Sequence, residues 1–161
     1  MNTKLVKSMM ASFVVACASL TMIVATATGQ GTQGGTLQGT WEMQITLTDC
    51  AGHVIRSFPS LIEYAAGGTV VESNGGTPQA LKTPGEGVWS HTTGNNFAFR
   101  FKFFTFNPQN IFTGWTIIAG ETTVDSTGNA NTGSATVKVY DPNGVLLATV
   151  CAETVGTRFE L

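Results

Sequence analysis

The sequence predicts an all-β domain, a single eight-stranded antiparallel up-and-down β-barrel, from three observations. Residues 39–50 (GTWEMQITLTDC) alternate between apolar and polar side chains, which is the period of a strand buried on one face. Seven further stretches of strand character, separated by turn residues, follow as far as the C-terminus, and none has helical periodicity with caps. The first and last stretches also carry matching residue pairs, which predicts that the sheet closes on itself.

The first and last predicted strands share one antiparallel register. In an antiparallel pair, partners share one sum of residue numbers and diagonal neighbours differ from it by two. The pairs Cys50/Cys151 and Trp41/Arg158 stand in that relation, and their spacing puts the two pairs on opposite faces of the sheet. We therefore expect the cysteines to form a disulfide on the outer face, and Trp41 to meet Arg158 on the inner one.

The second to fourth strands are predicted at 58–65, 69–73 and 87–92. Gly67 and Gly68 favour a tight hairpin between the first two of these. The intervening residues 74–86 contain two prolines and three glycines, so they are predicted to be a loop, the longest in the chain. Long loops at barrel mouths often bind or gate, and we expect this one to be a lid over one mouth.

The fifth strand, 97–106 (FAFRFKFFTF), is the most apolar segment of the mature chain. Its odd-numbered phenylalanines share one face, which would put four rings side by side in the interior. They predict either a filled core or an aromatic-lined pocket. The rings belong to Phe97, Phe99, Phe101 and Phe103.

The sixth to eighth strands are predicted at 112–124, 134–140 and 146–159. Residues 125–131 (DSTGNAN) form the first turn between them. The second, 141–144 (DPNG), has proline and glycine at the positions that favour a turn.

Residues 1–27 are predicted to be an export signal. Lys4 and Lys7 form its positive region, an apolar stretch follows over 9–24, and 25–27 (ATA) is a small-x-small cleavage site. The mature protein is then expected to be secreted or periplasmic and to have no membrane span.

Two further features lie within the export signal and directly after it. Residues 14–17 (VVAC) resemble a lipobox, so a lipoprotein anchored at Cys17 is an alternative to simple cleavage. Residues 28–38, rich in Gly, Thr and Gln, are predicted to be a flexible leader before a barrel domain at 39–161.

Composition excludes several function classes. Without the signal, six basic side chains face ten acidic ones, a formal charge of −4, so nucleic acid is not an expected partner. Two cysteines without CxxC spacing argue against zinc and thioredoxin-like redox chemistry, and they suit a disulfide in an exported chain. No nucleophile, zinc-protease or phosphate-loop motif is present, and we expect no cofactor. The oligomeric state is not indicated.

The residues Gly39-Thr40-Trp41 and Arg158, with the eight-strand outline, resemble the calycins, the superfamily of lipocalins, avidins and fatty-acid-binding proteins. The resemblance implies that Trp41 plugs the barrel floor and that Arg158 lies across its indole in a cation–π contact. It is limited to those residues, since the chain has no lipocalin-type Thr-Asp-Tyr segment and no long helix after the last strand.

We expect the exported barrel to bind a small hydrophobic or amphipathic molecule without a covalent bond. Two polar side chains, His91 and Tyr64, are candidates to orient this ligand. His91 shares a face with Trp89, and it would lie in the cavity or at the rim; in the cavity it could also bind haem iron. The candidate ligand-binding residues are Phe97, Phe99, Phe101, Phe103, Trp89, His91 and Tyr64.

Two other functions remain open. The barrel could be a fully packed structural or adhesive envelope protein, or a cyclase or isomerase that shapes a hydrophobic substrate. A continuous void beside the phenylalanines of 97–103 would favour ligand binding over the packed barrel.

Overall fold

Eight antiparallel strands close into a barrel in the computed structural model, which describes residues 36–161. Each strand pairs with its neighbours in the sequence, and the first also pairs with the last, so the predicted up-and-down barrel is confirmed. The strands are β1 (Gly39–Thr48), β2 (Val54–Ala65), β3 (Thr69–Asn74), β4 (Gly85–Thr93), β5 (Asn96–Phe106), β6 (Phe112–Val124), β7 (Ala130–Tyr140) and β8 (Leu146–Arg158).

The predicted export signal at 1–27, with the alternative lipid site at Cys17, lies outside the described residues. So does the predicted leader, apart from 36–38. Within the part of the chain that is described, no helix is long and apolar enough to cross a membrane.

The seam between β1 and β8 has the predicted register. Trp41 pairs with Arg158, and Thr48 pairs with Cys151. Cys50, just beyond the end of β1, forms a disulfide with Cys151, and their Cα atoms are 5.0 Å apart. The predicted bridge is therefore confirmed at the seam.

The core lies inside the barrel, because alternate residues of every strand point inward. On β1, Trp41 is fully buried and Met43 is 3% exposed. On β5, the side chains of Phe97, Phe99 and Phe101 are buried in the same interior, while Arg100, between them, is exposed. The alternation of the sequence thus sets which side chains fill the barrel.

Two strands begin four residues earlier than predicted, β2 at Val54 and β7 at Ala130. Each early segment directs a polar residue inward, Arg56 in β2 and Asn131 in β7. An inward polar side chain breaks the alternation that identifies a strand, so the sequence pattern underestimates both. The other bounds agree within two residues.

The connections between strands define the two ends of the barrel. At one end lie the connections 66–68, 94–95 and 125–129, together with both ends of the described chain. At the other end lie 49–53, 75–84, 107–111 and 141–145, and we call this end the mouth.

Trp41 and Arg158 close the end opposite the mouth. The indole Nε1 of Trp41 donates to the carbonyl of Leu37 at 2.8 Å, and the guanidinium carbon of Arg158 lies 4.3 Å from the centroid of the Trp41 ring. The contact implied by the resemblance to calycins is therefore present. The three guanidinium nitrogens of Arg158 donate to the backbone carbonyls of Thr36, Gln38 and Gly128, at 2.8, 2.8 and 2.9 Å.

Candidate functional site

A cavity of about 220 Å³ occupies the interior on the mouth side of the barrel. Strands from all around the barrel contribute to its wall, which is mostly apolar. The apolar wall includes Ile45, Leu47, Ile62, Phe99, Phe101 and Phe103. The polar wall includes Arg56, Ser60, Glu72, Asn74, Thr116 and Thr154.

Phenylalanines of β5 form the aromatic side of this cavity. Phe99 and Phe101 stack with their centroids 6.0 Å apart, and Phe103 follows towards the mouth. Two glycines of the neighbouring strand β4 make room for them. A Cβ on Gly87 would lie 2.7 Å from the Cβ of Phe101, and one on Gly85 would lie 2.8 Å from its ring, so neither position admits a side chain without a shift.

The other predicted ligand-binding residues lie at the opposite end and do not line the cavity. Trp89 packs edge-on against Tyr64 and Phe97, at centroid distances of 6.0 and 5.8 Å, and its Nε1 donates to a backbone carbonyl. His91 is exposed, and its Nε2 donates to the carbonyl of Gly94 at 2.8 Å. Trp89, Tyr64 and Phe97 form an aromatic cluster that fills the closed half of the barrel, and His91 lies at its rim.

Tyr64 is the most deeply buried member of this cluster, with 1% of its surface exposed. Burial raises the pKa of its phenol well above the ordinary value of 10.0, because the apolar surroundings disfavour the phenolate. Tyr64 is therefore a neutral packing residue, in edge contact with Phe99 at 6.4 Å.

A buried ion pair forms the polar part of the cavity wall. The Glu72 side chain lines the cavity, and its Oε2 accepts from Nζ of Lys82 at 3.0 Å. Its Oε1 accepts from the Ser60 hydroxyl at 3.2 Å and from the Asn74 amide. The Lys82 side chain is fully buried behind the wall, with Nζ 4.7 Å from the centroid of Phe103. The cavity thus meets the carboxylate and not the ammonium group.

Thr154, on β8, adds an unpaired hydroxyl to the same wall. The residue is 7% exposed, and its Oγ1 is the one buried side-chain nitrogen or oxygen of residues 36–161 without a hydrogen-bond partner. Leaving such a group unsatisfied costs about 1 to 3 kcal/mol. A ligand in the cavity could supply the missing partner.

Sequence reasoning missed this polar set. Glu72 lies in a stretch with valines on both faces (Val70 and Val71), so its inward direction could not be read from alternation. Lys82 lies in the connection 75–84, outside any strand. The only available signal was that Glu72 and the inward Val70 are two residues apart and share a face.

The connection 75–84 lies at the mouth, where the sequence predicts a lid. Thr77 lines the cavity. The segment is hydrogen-bonded to two strands: Gly75 N donates to the carbonyl of Pro59 at 2.9 Å, and Thr83 N donates to that of Phe104 at 3.0 Å. It is therefore fastened to β2 and β5, and its role as a lid stays a prediction.

Among the described residues, no group of three or more His, Cys, Asp or Glu side chains is placed to hold a metal ion. The chain matches no protein-family model and no curated protein sequence.

Proposed function

We propose that this barrel binds a small apolar or amphipathic molecule, without a covalent bond, in the cavity beside Phe99, Phe101 and Phe103. The observation that carries the proposal is the cavity itself, about 220 Å³ with a mostly apolar wall. For comparison, an apolar cavity of about 150 Å³ in another protein takes up benzene. Burial of a ligand's hydrocarbon surface would contribute about 25 cal/mol per Å².

The main alternative is a packed structural barrel. An eight-stranded barrel is just wide enough either to be filled by side chains or to hold one small ligand. Here the closed half is filled by the aromatic cluster around Tyr64, while the mouth half keeps a void. That division favours binding, because a purely structural barrel gains stability by filling both halves.

The wider assignment is also a proposal. The closed eight-stranded outline and the contact of Trp41 with Arg158 support a place among calycin-like barrels. The Cys50–Cys151 disulfide is compatible with a secreted or periplasmic location, because disulfides persist in oxidising compartments.

The test is binding of the neutral dye N-phenylnaphthylamine, whose fluorescence rises in apolar surroundings. The native protein should bind it with one-to-one stoichiometry, and a hydrophobic competitor should displace it. Phe101→Trp should weaken this binding, because the larger ring fills the cavity, and overpacking costs about 1 to 3 kcal/mol of stability.

The matched control is Phe104→Trp, the same substitution on the outer face of β5, where the side chain is 43% exposed. It should leave dye binding unchanged. Absence of binding, or equal binding by the Phe101→Trp variant, would favour the packed barrel instead.

A further inference from the structure

We infer that the cavity selects neutral apolar molecules that carry a hydroxyl group, such as alcohols or phenols, over carboxylates of the same size. This inference rests on the proposed function and narrows it to a ligand class. It is carried by two groups of the wall, the buried carboxylate of Glu72 and the unpaired hydroxyl of Thr154.

The Glu72 carboxylate has capacity left for at least one donor. Two carboxylate oxygens offer about four acceptor sites. Lys82, Ser60 and Asn74 occupy at most three of them, because Ser60 shares its one hydroxyl proton between Glu72 and the carbonyl of Ser73. A ligand group that reaches Glu72 must therefore donate a hydrogen bond, which a hydroxyl does and an ether or ester oxygen does not.

Thr154 complements this acceptor. Its hydroxyl can both donate and accept, and no described residue does either with it. A ligand hydroxyl has the same two capacities. A ligand hydroxyl can therefore donate to Glu72, or it can form one hydrogen bond with Thr154 in either direction.

Charged ligands are disfavoured by the same wall. A carboxylate would have to leave water for an apolar cavity and would face Glu72, a like charge. The Lys82 ammonium offers it little, because Glu72 already neutralises that charge at 3.0 Å. Arg56, a cation that does line the cavity, is exposed at the mouth, where water screens its charge and its guanidinium already donates to the carbonyl of Gly76. A ligand ammonium would compete with Lys82 for the same carboxylate and would also lose its hydration.

The experiment measures displacement of N-phenylnaphthylamine by three molecules of similar length at neutral pH: octanol, octyl methyl ether and octanoate. Octanol should bind about threefold to tenfold more tightly than the ether, the range of one net hydrogen bond. Octanoate should bind at least tenfold more weakly than octanol.

Octanol would bind more tightly than octanoate in any apolar cavity, so a second comparison is needed to test the role of the Glu72 charge. The variant Glu72→Gln provides it. In this variant the Lys82 charge has lost its partner, so the ratio of octanol to octanoate affinity should fall at least tenfold. Glu153→Gln, an exposed glutamate on the outer face of β8, is the control and should keep the wild-type ratio. An unchanged ratio in Glu72→Gln would overturn the inferred selectivity.

Thr154→Val tests the hydroxyl and does not depend on Glu72→Gln folding. Because Thr154 has no partner to lose, the melting temperature should stay level or rise. The advantage of octanol over the ether should shrink, whereas Thr149→Val, at an exposed position of the same strand, should leave it intact.

The outcomes separate the two proposals. If the dye binds but octanol and the ether compete equally in wild type, the ligand class is wrong and the binding function stands. If the dye does not bind, the proposed function fails, and the ligand class fails with it.

Discussion

Arg158 acts at the closed end through three hydrogen bonds as well as through its charge. The carbonyls that it holds belong to 36–38 and to the turn 125–129. Its planar group fits this role because one guanidinium can donate in several directions while it stacks on the Trp41 ring. The side chain therefore ties the first described residues to the last strand.

Arg158→Ala should lower the free energy of unfolding by about 1 to 3 kcal/mol, the cation–π contribution together with the lost hydrogen bonds. Trp41→Ala should cost more, roughly 3 to 5 kcal/mol, because the fully buried ring leaves a cavity. Urea denaturation measures both values. Arg158→Lys, which keeps the charge but not the planar group, should fall between wild type and alanine. Unchanged midpoints for Arg158→Ala and Trp41→Ala would contradict this account of the closed end.

Tyr64 makes the free energy of unfolding depend on pH in the alkaline range. Its folded pKa is raised, so the stability that it contributes is complete below about pH 10, the ordinary pKa of the unfolded tyrosine, and declines as the pH rises further. The expected slope is about 1.4 kcal/mol per pH unit. Tyr64→Phe should remove this decline when urea midpoints at about pH 9 and about pH 11 are compared.

The matched control for this measurement is Tyr140→Phe, at the other tyrosine of the chain. The alkaline decline due to Tyr64 should persist in it. If Tyr64→Phe instead declines as steeply as wild type, another group causes the loss.

The sequence predicted the direction of individual side chains where the alternation within a single strand was enough to indicate it. The phenylalanines of β5 alternate within 97–106, so their shared face could be predicted. The Glu72–Lys82 pair could not, because it joins a strand to a connection ten residues away through side-chain geometry. His91 was a candidate because it shares a face with Trp89, but that strand carries it beyond the cavity to the rim of the closed end.

At the scale of elements, the bounds of β6 were predicted at both ends, because 112–124 lies between clear turn signals. The residue-by-residue register of a strand pair could be predicted only at one seam. The β1–β8 register followed from two residue pairs of complementary type, whereas the other registers have no such markers in the sequence. The cavity follows from side-chain volumes and from the glycines of β4, and alternation does not reveal either.

At the scale of the molecule, the barrel divides into a filled half and a hollow half. Aromatic rings and the Trp41–Arg158 contact fill the end where the described chain begins and finishes. The cavity and its buried carboxylate occupy the mouth half, under the connection 75–84. Stability and the candidate site thus depend on different residues, so variants of the cavity wall need not disturb the closed end.

The β1–β8 seam differs from the other seven pairings, because Cys50 and Cys151 are 101 residues apart in the sequence. Pairing between distant segments is slow, since the chain must lose loop entropy before any contact compensates for it. The chain unfolded in urea with its disulfide intact should therefore refold faster than the Cys50→Ser/Cys151→Ser variant, as followed by tryptophan fluorescence after dilution. Equal rates would mean that closure is not the slow step. In the absence of the bridge, the first strand can complete its pairing only after the last one arrives, and until then its free edge is open to other chains.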